Sequence, residues 1–160
     1  MTRECGDCSL CCKLTYVAEL DKPIDTWCPH CRPGHCGCTI YSDRPASCRG
    51  FVCGWLAGEP KIGDEWFPAR CKMIIARAQQ GFLIIVDPAY PTAWRRKPYY
   101  GQLLALAQQS SVKIRVGQRF IRLNTDGSER QWWRSQAHIE GRSEDGAATD
   151  TAPAVAQHKP

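Results

Sequence analysis

Residues 71–86 read CKMIIARAQQGFLIIV. Two apolar runs rich in isoleucine and valine flank the turn-forming QQG, so 71–78 and 82–86 are expected to form two strands of a β-hairpin. Further along, PYYGQLLALAQQ (98–109) places Tyr99, Leu103, Leu106 and Ala107 at helical spacing, with Pro98 suited to a first turn. VKIRV (112–116), GQ and RFIRL (119–123) then suggest a second hairpin. Val112, Ile114 and Val116 alternate with Lys113 and Arg115, whereas Phe120 and Ile121 stand side by side and blur the register. The expectation is a ββαββ unit, with one helix lying on an antiparallel sheet.

Upstream of this unit the chain changes character. Of 11 cysteines, all but Cys71 lie between residues 5 and 53. Residues 1–56 carry balanced charge and turn signals such as HCRPGHCG, with too few aliphatic residues for an apolar core of their own. Residues 57–134 are net +7. Residues 135–160 contain almost no large apolar side chains and read as a disordered tail. The fold expected is therefore α+β. A loop-rich, metal-bound cysteine module (1–56) packs on a small α+β unit with a basic surface (57–134), and a tail follows.

A secreted chain this rich in cysteine would suggest a disulfide scaffold. The N-terminal MTRECGDC has no secretory apolar stretch, and the cysteine count is odd. No apolar run approaches the roughly 20 residues that span a bilayer. A cytoplasmic protein with reduced thiols is expected, with no membrane partner. Adjacent Cys11 and Cys12 also suit a disulfide poorly. Consecutive Cα atoms are ~3.8 Å apart, whereas a bridge prefers ~5.5 Å.

Metal binding explains the spacing better. CGDC (5–8), CSLCC (8–12), CPHC (28–31), CGC (36–38) and the pair Cys48 and Cys53 supply short-spaced thiols of the kind that converge on one ion. There are ligands enough for two sites or for one bridged cluster. Adjacent Cys11 and Cys12 point in different directions and most easily serve two ions, or two metals of one cluster. The candidate ligands are Cys5, Cys8, Cys11, Cys12, Cys28, Cys31, Cys38, Cys48 and Cys53. Cys71, beside a strand, reads as a small buried hydrophobe. His30 is evenly balanced between ligand and exposed loop residue, and His35 reads as a non-ligand. Zinc is the expected metal. Iron or an iron–sulfur cluster is the alternative, since thiolates suit all of these.

The run CGDCSLCC followed by WCPHCRPGHCGCTIYSDRPASCRGFVCGWL (27–56) resembles the bacterial YkgJ-type cysteine-cluster family, described as zinc- or iron-chelating. The pattern is CxxCxxCC, a CxHC pair, then GCxIYxxRPxxCRxFxCxWL. Cys36 departs from it and ranks below the other nine as a ligand. The resemblance implies metal binding and no particular reaction. Lys13, Arg44 and Arg49 are placed to offset thiolate charge, and Tyr41, Phe51 and Trp55 to give apolar cover.

No GxSxG, P-loop or GxGxxG is present, and thiolate-rich sites are normally closed, so a non-enzyme is expected. The rival is a zinc-dependent nucleic-acid-binding module. Arg95, Arg96 and Lys97 lie near Trp94, Tyr99 and Tyr100, and Arg115, Arg119, Arg122 and Arg134 lie near Trp132 and Trp133. This reading is not favoured, because the cysteine-rich part itself is neutral.

Overall fold

The computed structural model describes residues 3–31, 37–59 and 61–133. Cys36, His35 and the expected tail at 135–160 lie outside them. Two short helices, α1 (Leu10–Leu14) and α2 (Ala46–Gly50), occupy the cysteine-rich part. They are followed by α3 (Pro68–Cys71), β1 (Met73–Ala78), β2 (Gly81–Val86), α4 (Tyr99–Ala107), β3 (Ser111–Val116), β4 (Arg119–Leu123) and β5 (Glu129–Trp133). The architecture is α+β, with one five-stranded sheet in the order β1-β2-β3-β4-β5.

The two expected hairpins, β1–β2 and β3–β4, are present and antiparallel. The expected all-antiparallel ββαββ arrangement needs correction in two respects. First, β2 and β3 pair in parallel. A hairpin turn reverses the chain, but the long connection through α4 carries it back to the end where β2 began, and parallel strands need such a crossover. Second, a fifth strand, ERQWW, pairs with β4 after the NTDGS turn. Where β2 begins, the two parallel strands come very close. A Cβ on Gly81 would fall 2.0 Å from the Ser111 carbonyl oxygen, and the residue sits at φ +145°. Both facts require glycine there.

Strand register sorts the side chains onto two faces. Met73↔Val86, Ile75↔Ile84, Ile84↔Ile114 and Ile114↔Ile121 run across one face. This face meets Leu103, Leu106 and Ala107 of α4, as the helical spacing predicts, together with the fully buried Trp66 and Trp94. The Ile114↔Ile121 pairing also settles the Phe120/Ile121 ambiguity: Ile121 turns to the helix side, and Phe120 stands opposite Arg115 on the other face. One polar chain runs through this layer, while the buried Trp94 Nε1 has no partner among the described residues. The Trp66 indole donates to Gln102 (2.6 Å), and Gln102 donates to Glu65 (2.6 Å).

The other face carries Ile74 and Ile85, and against them lie Leu10 and Leu14 of α1. This apolar contact is small, and ionic ties reinforce it. Lys13 grips both oxygens of Asp87 (2.7 and 2.9 Å). Arg115 binds both oxygens of Asp25 (2.9 and 3.2 Å) and donates to the Leu14 carbonyl (2.9 Å). Arg115 is only 6% exposed. The basic half of the β3 alternation is thus not a uniformly solvated stripe. Among the described residues, no helix is long and apolar enough to cross a membrane.

Candidate metal centre

The CGDC segment turns tightly. Cys8 N donates to Cys5 O at 2.8 Å, and Gly6 takes the left-handed conformation (φ +51°) that the turn needs. The chain then enters α1, where Leu10 and Leu14, one turn apart, anchor the helix on the sheet. Successive helical residues are ~100° apart around the axis. Cys11 and Cys12 therefore cannot face the same way. Cys11 packs with Cys8 and Cys53 against the Leu10–Ile74 cluster. The Cys12 main chain meets the CPHC segment: Cys28 N donates to Cys12 O (3.0 Å) and Cys31 N to Cys28 O (3.0 Å).

Two groups of thiols result. Cys5, Cys8, Cys11 and Cys53 line one cleft, walled by Phe51, Trp55, Leu56, Phe67, Pro68 and Ile74. Its volume is about 40 Å³. Since ~10–15 Å³ admits a water molecule, the cleft has room for an ion. Burial raises the Cys5 and Cys8 pKa values, and negative charge on Cys53 adds to both. The backbone N–H groups of Leu10 and Ala69 act in the opposite sense on Cys8 and favour its thiolate.

The second group comprises Cys12, Cys28, Cys31 and Cys48. A hydrogen bond with Cys11, and then burial, pushes the Cys12 thiol well up. Burial raises Cys31 to about 11, with Cys12 contributing. Cys48 is raised by burial and by the charges of Cys12 and Cys28. It arrives on α2, which Glu19 holds through Ser47 N (3.0 Å) and Ser47 Oγ (2.6 Å). Cys38 joins this side through its main-chain bridge to Cys31. Cys71 stands apart, 1% exposed, its thiol directed at the Trp66 and Met73 carbonyls (3.4 and 3.3 Å).

Among the described residues, no three His, Cys, Asp or Glu side chains stand close enough together to hold a metal ion. The donors nonetheless fit a thiophilic ion in kind: soft sulfur, apolar walls and nearby N–H groups. Trp55, on the cleft wall, keeps a buried Nε1–H with no hydrogen-bond partner among the described residues. An anionic sulfur would be one acceptor for it.

The neighbouring charges depart from expectation. Lys13 is held by Asp87. Arg44 stacks 3.7 Å over Tyr41 and donates to its carbonyl (3.0 Å), while Arg49 donates to Arg44 O (2.8 Å). Of these, the Arg44 charge reaches Cys5 and favours its thiolate. Phe51 and Trp55 do cover the site, but Tyr41 is 59% exposed and does not. The cation that sequence reasoning missed is Lys22. It is 2% exposed, and its ammonium donates to the carbonyls of Lys13 (3.2 Å), Pro23 (2.9 Å) and Thr15. Burial lowers its pKa, while Cys28 and Cys12 act to raise it. A lysine in a polar loop carries no sequence mark of such burial. In comparisons with protein families, curated proteins and solved structures, nothing matches this chain.

Proposed function

We propose that this chain is a metal-binding cysteine-cluster protein of the YkgJ type. Its thiols hold zinc as a closed structural or chelating centre with no catalysis of its own. The observation that carries the reading is the gathering of sequence-distant thiols: Cys5, Cys8 and Cys11 share one ion-sized cleft with Cys53, from the far end of the cysteine-rich part. Main-chain hydrogen bonds link Cys12 to Cys28 and Cys28 to Cys31, and the charges of Cys12 and Cys28 act on Cys48. On this reading residues 1–56 form a module that metal completes, residues 57–134 form the sheet unit that supports it, and the protein works in the reducing cytoplasm. The metal would cross-link loops that have little apolar packing of their own.

The same thiolates would accept iron or an iron–sulfur cluster, which would make the protein an electron carrier. A nucleic-acid-binding role draws less support. Arg115 is committed to Asp25, and Arg95 to Glu129 (2.5 and 2.6 Å).

The test is purification without oxygen, followed by elemental analysis beside a visible spectrum. About two zinc ions per colourless chain is the expected result, at four thiolates per ion. Iron with acid-labile sulfide would replace zinc chelation by electron transfer. A reduced protein that retains and takes up no metal overturns the reading.

A further inference from the structure

We propose that the thiols form two separate and unequal centres, divided between Cys11 and Cys12. One comprises Cys5, Cys8, Cys11 and Cys53 in the apolar cleft; the other comprises Cys12, Cys28, Cys31 and Cys48 beside the buried Lys22. The proposal rests on the metal-binding reading and assigns what that reading leaves open.

The division follows from α1. The helix is pinned to the sheet through Leu10 and Leu14, which fixes its rotation. Cys11 is thereby committed to the cleft side, and Cys12 to the side where its carbonyl receives the Cys28 N–H. Cys11 lines the cleft and Cys12 does not, with ~100° of helical rotation between them. The groups adjoin at this pair, where the Cys11 thiol acts on Cys12 and Cys12 acts more weakly on Cys5.

The two centres differ in how charge is offset. Four thiolates around a divalent ion carry a formal −2. The cleft has largely apolar walls, and the N–H groups of Leu10 and Ala69 act on Cys8. On the other side stands Lys22, its Nζ fixed by three carbonyls and its charge interacting with Cys28, Cys12 and Cys48. Lys22 is a positioning residue for the second centre alone. Losing such an outer partner weakens metal binding about 10–100-fold.

The test titrates the reduced full-length protein with Co²⁺ under anaerobic conditions. Thiolate-to-cobalt absorbance is followed, and at each addition cysteine alkylation is mapped by mass spectrometry. In the unmodified protein, protection is expected in two sets at two successive equivalents, with Cys11 in one and Cys12 in the other. Cys11→Ser should abolish protection of the first set only, and Cys12→Ser of the second only. Lys22→Met should weaken the second set about 10–100-fold and leave the first unchanged. One undivided footprint, or Cys11 protected together with Cys28 and Cys31, overturns the division while the metal-binding reading stands. Equal weakening of both sets by Lys22→Met overturns the assignment of Lys22. No cobalt–thiolate band at all overturns the metal-binding reading itself.

Discussion

The two faces of the sheet are covered in opposite ways. The helix side buries a continuous apolar layer in which Met73, Ile84, Trp94, Leu103, Val112 and Ile114 are completely inaccessible. The cysteine side sets only Leu10 and Leu14 against Ile74 and Ile85, and adds two ion pairs and partly buried thiols. Side chains such as leucine contribute about 1.5–3 kcal/mol each when buried. The first face is thus held mainly by packing, with the Trp66–Gln102–Glu65 hydrogen bonds beside it, whereas the second relies more on charges and sulfur. The comparison teaches where the molecule is self-sufficient and where it needs something further.

The largest expected effect tests the ionic half of this contrast. Arg115→Ala leaves Asp25 beneath the cysteine-rich layer without its partner, and should lower stability by about 3–5 kcal/mol in urea unfolding. A change as small as that of Arg122→Ala, an exposed position, would remove the ion pair from the account. Next comes the packed face. Leu103→Ala should cost about 2–5 kcal/mol, by the same amount with and without metal. A cost that depends on metal would mean the faces are not independently held.

A third prediction separates them directly. Cys8→Ser or Cys12→Ser should speed amide exchange about tenfold or more in residues 5–31 and 38–53, while β1 to β4 keep their protection. Equal protection in both parts relative to the unmodified chain would dissolve the distinction. The smallest effect concerns Cys71, whose pKa burial raises from 9.0 to about 12. The folded state keeps this proton longer than the unfolded state does. Its contribution is therefore complete below pH 9 and is lost as pH rises towards 12. In metal-free protein, Cys71→Ala should flatten the fall of melting temperature over that window; an unchanged slope would place the alkaline loss elsewhere.

Much of the sheet is legible from its residues. Ile and Val runs bounded by QQG and GQ mark four strands, and Leu103, Leu106 and Ala107 mark the buried stripe of α4. The parallel β2–β3 pairing was readable in principle, because a strand–helix–strand order calls for it. ERQWW gave less warning: it begins with charged and polar residues, as an edge strand can. At the candidate site, the cysteine spacing exposes the donors but not their grouping. That depends on which way α1 is rotated, and so on the distant Ile74 and Ile85. Arg115 and Lys22 were illegible for a related reason. Alternation and loop composition describe an element by itself, and both residues are buried by what another segment lays over them.

The parallel pairing of β2 with β3 has a consequence for synthesis. Asp25 meets an arginine 90 positions later in the chain. Translation runs at about 5–20 residues per second, so Cys53 emerges roughly 3–13 s before Val116. During that interval the nascent chain offers its sulfur to the cell before the full sheet exists, so on the metal-binding proposal what it meets then would bear on which ion it takes up.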